Sequence, residues 1–202
     1  MYIPAFITEA EDYRRCARFH GHTCMGLTIG YLAAKLALER LGVSRADDEE
    51  LVVIVENDAC CCDAIQVLTG CTFGKGNFVF RDIGKMAFTF AHRDSGKSLR
   101  LVFNNAILAV PEAERRLADL IRDGKASAED MRTYESVSEK RIDDLFAAGP
   151  EVFFSVEEVS GPLPPKASIA PSMSCSQCGE LVMQTKLVQD GERMLCLDCT
   201  AQ

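Results

Sequence analysis

Residues 27–41 leave the fewest choices open. Leu27, Ile29, Tyr31, Leu32, Leu36, Leu38 and Leu41 surround the helical cylinder, and only Lys35 and Glu39 mark a narrow polar stripe. A helix that is apolar on nearly every side has to be buried, so this one is expected at the centre of the fold, stopped by Gly42. Immediately before it stands Phe19-His20-Gly21-His22-Thr23-Cys24-Met25-Gly26, which holds two of the chain's three histidines. Cys24 thus lies just ahead of a helix N-terminus, where the positive end of the helix dipole favours a thiolate.

The flanking sequence reads as mixed secondary structure. Thr8-Glu9-Ala10-Glu11 has the form of a capping box opening a helix to about Phe19, with Cys16 as a packed core thiol. Residues 45–50 read as an acidic surface loop, and the apolar run Leu51-Val52-Val53-Ile54-Val55 as a buried strand. Asp58 is placed to cap a helix over 61–68, which ends at Gly70. Residues 77–82, 86–92 and 99–104 are expected as strands of an antiparallel meander. His92, at a strand end, is assigned to the surface or a turn. Pro111 begins a helix ending near Gly124. Ser127 caps a longer one to about Ala148, with Met131, Tyr134, Ile142 and Leu145 near its inner face, and residues 151–159 read as a last strand. Without a regular βαβ repeat, the expected class is α+β: a mixed or antiparallel sheet with packed helices.

His20, His22 and Cys24 alternate along a loop, so an extended backbone would turn all three to one side. A second cluster, Glu56-Asn57-Asp58-Ala59-Cys60-Cys61-Cys62-Asp63, follows the first strand. Imidazole nitrogen and thiolate sulfur are ligands for zinc and similar transition ions, whereas calcium and magnesium require oxygen. The expected core site is therefore His20, His22, Cys24 and Cys60, with His22, Cys24 and Cys60 as the candidate catalytic groups. Successive helical residues turn by about 100°, so Cys60, Cys61 and Cys62 cannot face one ion equally; Cys60 is preferred and its neighbours are treated as buried or adventitious thiols. The glycine-rich Gly70-Cys71-Thr72-Phe73-Gly74-Lys75-Gly76-Asn77 lacks Walker spacing. It nonetheless offers Lys75 and Asn77 to hold a substrate anion or carbonyl, with Asp58 or Asp63 for proton transfer or ligand orientation.

Composition enters here as an exclusion. A net charge of −8 argues against a general binder of nucleic acid or anionic membrane. No stretch has the length of a membrane span, and the start lacks the order of a signal peptide, so a cytoplasmic location with reduced cysteines is expected.

Four of the seven prolines fall between Ser160 and Ser174, which marks a linker between a core of residues 1–159 and a module of residues 175–202. Such a linker could deliver the module to a neighbouring subunit. Cys175-Ser176-Gln177-Cys178 and Cys196-Leu197-Asp198-Cys199 are C-x-x-C pairs separated by seventeen residues, the pattern of a four-cysteine zinc ribbon or treble-clef-like module. So short a segment cannot fold on its apolar burial alone, and zinc binding, worth on the order of 10 kcal/mol, would hold it together. Four thiolates complete the tetrahedron, so this zinc is structural. Its acidic surroundings, Glu180, Asp190, Glu192 and Asp198 against Lys186 and Arg193, favour a protein contact over phosphate.

Taken in order, Phe19-His20-Gly21-His22-Thr23-Cys24, Glu56-Asn57-Asp58-Ala59-Cys60, Asp63-Ala64-Ile65-Gln66 and Thr69-Gly70-Cys71-Thr72-Phe73-Gly74-Lys75-Gly76-Asn77 resemble the signature segments of the E-subunit family of formylmethanofuran dehydrogenase. The resemblance implies an α+β core with a metal-capable His/Cys cleft, a C-terminal zinc finger and a homodimer. The parent enzyme interconverts carbon dioxide and a formyl group on methanofuran with a molybdenum or tungsten pterin carried by its other subunits. Met25 stands where the family commonly has proline, and Cys61 and Cys62 enlarge its usual single cysteine to a triplet.

Three functions remain open. One is a metal-dependent enzyme or subunit of one-carbon or redox metabolism, with a second metal ion in the core and a small-molecule substrate. Another is an accessory or assembly protein that binds metal and docks a protein partner through its finger. The last is a metal-free thiol oxidoreductase using Cys24 and Cys60, ranked lowest because no C-x-x-C occurs in the core.

Overall fold

The structure is a computed structural model that describes residues 10–104 and 110–201. It falls into two compact units, residues 1–166 and 167–202. The class is α+β, as the mixture of periodicities implied. Helix α1 (Glu11–His20) leads to α2 (Met25–Leu41), then β1 (Leu51–Val55), α3 (Cys61–Thr69), β2 (Phe78–Phe80), β3 (Ala87–His92) and β4 (Ser98–Phe103). Helices α4 (Glu112–Arg122), α5 (Ala128–Ala148) and α6 (Pro150–Phe153) precede β5 (Phe154–Glu158).

Five strands form one sheet in the order β2-β1-β3-β4-β5. Its register sets Phe90 between Val53 and Leu99, and Phe88 between Val55 and Leu101, so alternate residues build one apolar face. Across that core lies α2, packed on α3 and against β3 and β4. Leu27, Ala33, Ala34, Leu36 and Ala37 are fully enclosed, as the near-continuous apolar surface of this helix requires.

Four local expectations are corrected. Strand β2 is outside any meander: α3 and the glycine-rich loop carry the chain back to the outer side of β1, where β2 pairs parallel, while β3 and β4 continue antiparallel. Pro150 at the first helical position turns residues 150–153 into α6, so the last strand begins only at Phe154. Asp58 is not the cap of α3; Asn57 Oδ1 takes the Ala59 N–H at 3.1 Å. Ala10 occupies the N-cap of α1, and Thr8 and Glu9 of the expected capping box lie outside the described residues. At α5 the capping holds, with a reciprocal capping box between Ser127 and Asp130, but Met131, expected on the inner face, is exposed, while Ile142 and Leu145 are buried.

The second unit has two small hairpins, β6 (Ser172–Ser174) with β7 (Leu181–Met183) and β8 (Val188–Asp190) with β9 (Arg193–Leu195), followed by α7 (Leu197–Thr200). Part of the proline-rich segment is therefore a strand of the cysteine module. Among the described residues no helix is long and apolar enough to cross a membrane.

One ion pair straps the sheet. Arg100 of β4 donates from Nε and Nη2 to the two oxygens of Glu56, past the end of β1, at 2.7 and 2.8 Å. The guanidinium holds the buried Glu56 carboxyl below its usual range. Its contribution is full above the unfolded-state pKa near 4.5 and is lost as pH falls through the lower folded value. Glu56→Gln should therefore cost about 2 kcal/mol near pH 7, with the gap to wild type closing at acid pH. Denaturant melts across that range test this, and a gap independent of pH contradicts it.

Candidate functional site

The junction of α2 with α3 places the two core sulfurs. A Cβ on Gly26 would lie 3.1 Å from Cys60 Cβ, and one on Gly30 would overlap the backbone of Cys61. Glycine at both positions lets the start of α3 sit directly on α2. Ligand atoms of His20, Cys24 and Cys60 all lie within 4.8 Å of one another. His20 ends α1, Cys24 is the N-cap of α2, and Cys60 is the N-cap of α3.

Each is fixed from behind. His20 Nδ1 is 2.7 Å from Asp63 Oδ2, and since a carboxylate only accepts, Nδ1 carries the proton. In the neutral ring Nε2 then has its lone pair free, and it lies 3.8 Å from Cys24 Sγ. Cys24 Sγ accepts the Leu27 N–H at 3.3 Å, and its carbonyl takes the Thr28 hydroxyl at 3.0 Å. With the Thr28 proton so used, Tyr13 Oη is the donor to Thr28 Oγ1 at 2.8 Å, tying α1 to the turn that presents Cys24.

The Cys24 thiol differs from the expectation drawn from its place at a helix start. Burial pushes it up to about 11, outweighing the Leu27 N–H that acts the other way. Cys16 and Cys71 are packed thiols, pushed up by burial to about 12 and about 11. Cys61 and Cys62 turn inward; Cys61 Sγ donates to Asn57 Oδ1 at 3.1 Å and Cys62 Sγ to Asn57 O at 3.3 Å. The neighbouring Cys62 sulfur, reinforced by burial, raises Cys61.

Other residues singled out from the sequence lie differently. His22 is exposed, its ring 4.5 Å from that of His20, and it lines the cleft without joining the three-ligand group. Lys75 Nζ donates to the carbonyls of Asp47 and Asp48, at 3.3 and 2.9 Å. Asn77, fully buried, donates to Asp48 O and Leu51 O and accepts the Thr72 N–H. Both close the glycine-rich loop onto the start of β1, and neither lines the cleft. Asp58 is exposed and also lies outside it.

That cleft has a volume of about 720 Å³, and Cys24 and Cys60 open into it. Its far wall, absent from the sequence reading, is α5: Tyr134, Glu135, Ser138, Glu139 and Ile142. The helical spacing of 135, 138, 139 and 142 marks one face, but nothing local says what that face covers.

In the second unit, Cys175, Cys178, Cys196 and Cys199 form a four-sulfur group that could hold a metal ion. Cys178 Sγ and Cys196 Sγ are 3.9 Å apart, near the edge of about 3.8 Å for a tetrahedron with zinc–sulfur bonds of about 2.3 Å. The backbone N–H groups of Cys178, Cys196 and Gln177 draw Cys175 down to about 6, while hydrogen bonding to Cys196 pushes Cys199 up to about 12. With Cys196 capping α7 and Cys199 inside it, knuckle, hairpin and helix follow in the treble-clef order.

Fold and sites together define a mixed α+β protein with two cysteine-rich, metal-capable groups. Residues 19–155 match the family described as FmdE, molybdenum formylmethanofuran dehydrogenase operon. The chain therefore belongs to the FmdE family. A crystal structure of a tungsten formylmethanofuran dehydrogenase E-subunit (FmdE)-like protein from Syntrophus aciditrophicus is similar with a TM-score of 0.62 and 27% identity, over 95% of this chain and 91% of that one. An Archaeoglobus fulgidus protein named "Probable S-adenosyl-L-methionine-binding protein" is 33% identical over 92% of this chain, which spans about half (51%) of that relative's length.

Reduced, metal-free protein titrated with Co2+ should develop the visible bands of a tetrathiolate site, and Cys178→Ala should remove them while the 1–166 unit keeps its helical circular dichroism. Retention of those bands in the variant would contradict the four-cysteine assignment.

Proposed function

We propose that this chain is a metal-dependent enzyme or enzyme subunit of one-carbon or redox metabolism, with its reactive centre at His20, Cys24 and Cys60. The observation that carries this reading is the 2.7 Å pairing of His20 Nδ1 with Asp63 Oδ2, which turns Nε2 toward the sulfurs, 3.8 Å from Cys24 Sγ, where its lone pair can serve as a donor. One imidazole and two thiols suit zinc or another transition ion, and three protein ligands are the number that catalytic zinc sites supply. Such an ion would contribute Lewis acidity at the floor of the cleft.

The protein's own groups do the rest. Asp63 orients the imidazole, the Leu27 N–H and the Thr28 hydroxyl hold the Cys24 turn, and α5 narrows access from solvent. His22 stands at the rim, where its ring can take part in proton transfer. The four cysteines of the second unit hold a structural zinc, and the protein acts as a cytoplasmic homodimer.

A second reading, an accessory protein that docks a partner through the finger, is favoured by Leu181 and Leu197, which are 74% and 60% exposed on that module.

Metal analysis of the full-length protein tests the first reading. Two equivalents are expected; Cys24→Ala should retain one, and Asp63→Asn should weaken the core site by about 10- to 100-fold. Undiminished metal content in Cys24→Ala would exclude the core centre.

A further inference from the structure

The cleft above Cys24 and Cys60 has two unlike walls. One is the start of α2 with the loop before it; the other is the face of α5 that carries Tyr134, Glu135, Ser138 and Glu139. This wall is anchored. Ile142 and Leu145 are buried, and the Phe146 ring packs edge-on against Tyr13 at 5.4 Å, so the C-terminal half of α5 is locked to α1 and α2. The half bearing the glutamates is thereby held over the opening.

Glu135 and Glu139 stand one helical turn apart on the cleft side. Among the described residues neither pairs with a lysine or arginine, and no lysine or arginine lines the cleft. The cations nearest them in sequence, Arg132 and Lys140, lie outside the lining of the cleft. Two carboxylates without a paired cation, one exposed and one half-buried, on the wall of a cleft that also holds two sulfurs repel an anion and attract a cation.

We infer that Glu135 and Glu139 are specificity residues, and that the small molecule taken by this cleft carries a protonated amine or another cationic nitrogen. Anionic acids and phosphates are turned away. The Tyr134 and Ser138 hydroxyls offer hydrogen bonds to the polar remainder of such a ligand. This assignment rests on the reading of His20, Cys24 and Cys60 as the reactive end of the same cleft.

The test uses full-length protein loaded with Co2+ and two small thiols of opposite charge, cysteamine and 3-mercaptopropionate, with binding followed in the visible spectrum. The preference for cysteamine should fall about tenfold from wild type to the double variant Glu135→Gln/Glu139→Gln. An unchanged preference overturns the inference and leaves the metal centre standing. If neither thiol alters the spectrum, the metal reading fails, and the charge of the cleft is read separately. Mass spectrometry then follows Cys24 modification by a cationic and an anionic methanethiosulfonate. The cationic-to-anionic rate ratio should fall about tenfold in the double variant, and a ratio unmoved by the substitutions overturns the charge assignment by itself.

Discussion

The close approach of α2 and α3 is the constraint on which the rest of this structure depends. Gly26 lets the Cys60 side chain sit close against α2, and Gly30 leaves room for the Cys61 backbone where any side chain would hold the helices apart. Once they touch, the two helix starts lie side by side, and the sulfur at each N-cap is delivered to the same point. The third group arrives because α1 packs on α3, which brings His20 within reach of Asp63. The site is a consequence of helix packing more than of any single loop.

Desolvation and local dipoles compete at every cysteine, with different winners in the two units. At Cys24 the helix start and the Leu27 N–H favour the anion, yet burial prevails and the thiol is pushed up to about 11. At Cys175 three backbone N–H groups act together and bring the thiol down to about 6. A bound cation would favour the thiolate in either place. The four-cysteine group gathers its sulfurs within 4.8 Å of one another, with Cys178 and Cys196 at the spacing of a tetrahedral edge, whereas the core group combines three donors with an adjoining cleft.

The polar residues of the glycine-rich loop show how a motif can be structural. Lys75 and Asn77 have the character of ligand-binding groups, but their donors close on the carbonyls of Asp47, Asp48 and Leu51. Asn77 satisfies the buried Leu51 carbonyl, which otherwise would lose water without replacement, while Lys75 clasps the exposed carbonyls of Asp47 and Asp48 just ahead of the first strand. The same motif segment shapes the fold that holds the site while its own side chains face elsewhere.

Local pattern by itself determined a good deal. The burial of α2, the capping box of α5, the β3–β4 hairpin and the four-cysteine group were legible because each depends on residues close in sequence or on fixed chemical spacing. His20, Cys24 and Cys60 were legible as chemistry, from the ligand character of imidazole and sulfur. Only the tertiary structure decided that β2 lies parallel outside β1, that Asp63 pairs with His20 Nδ1, that His22 lines the cleft outside the three-ligand group, and that Glu135 and Glu139 line the same cleft as Cys24 and Cys60. Those facts join residues tens of positions apart. They follow from how apolar faces share one core, which periodicity along a single element cannot encode.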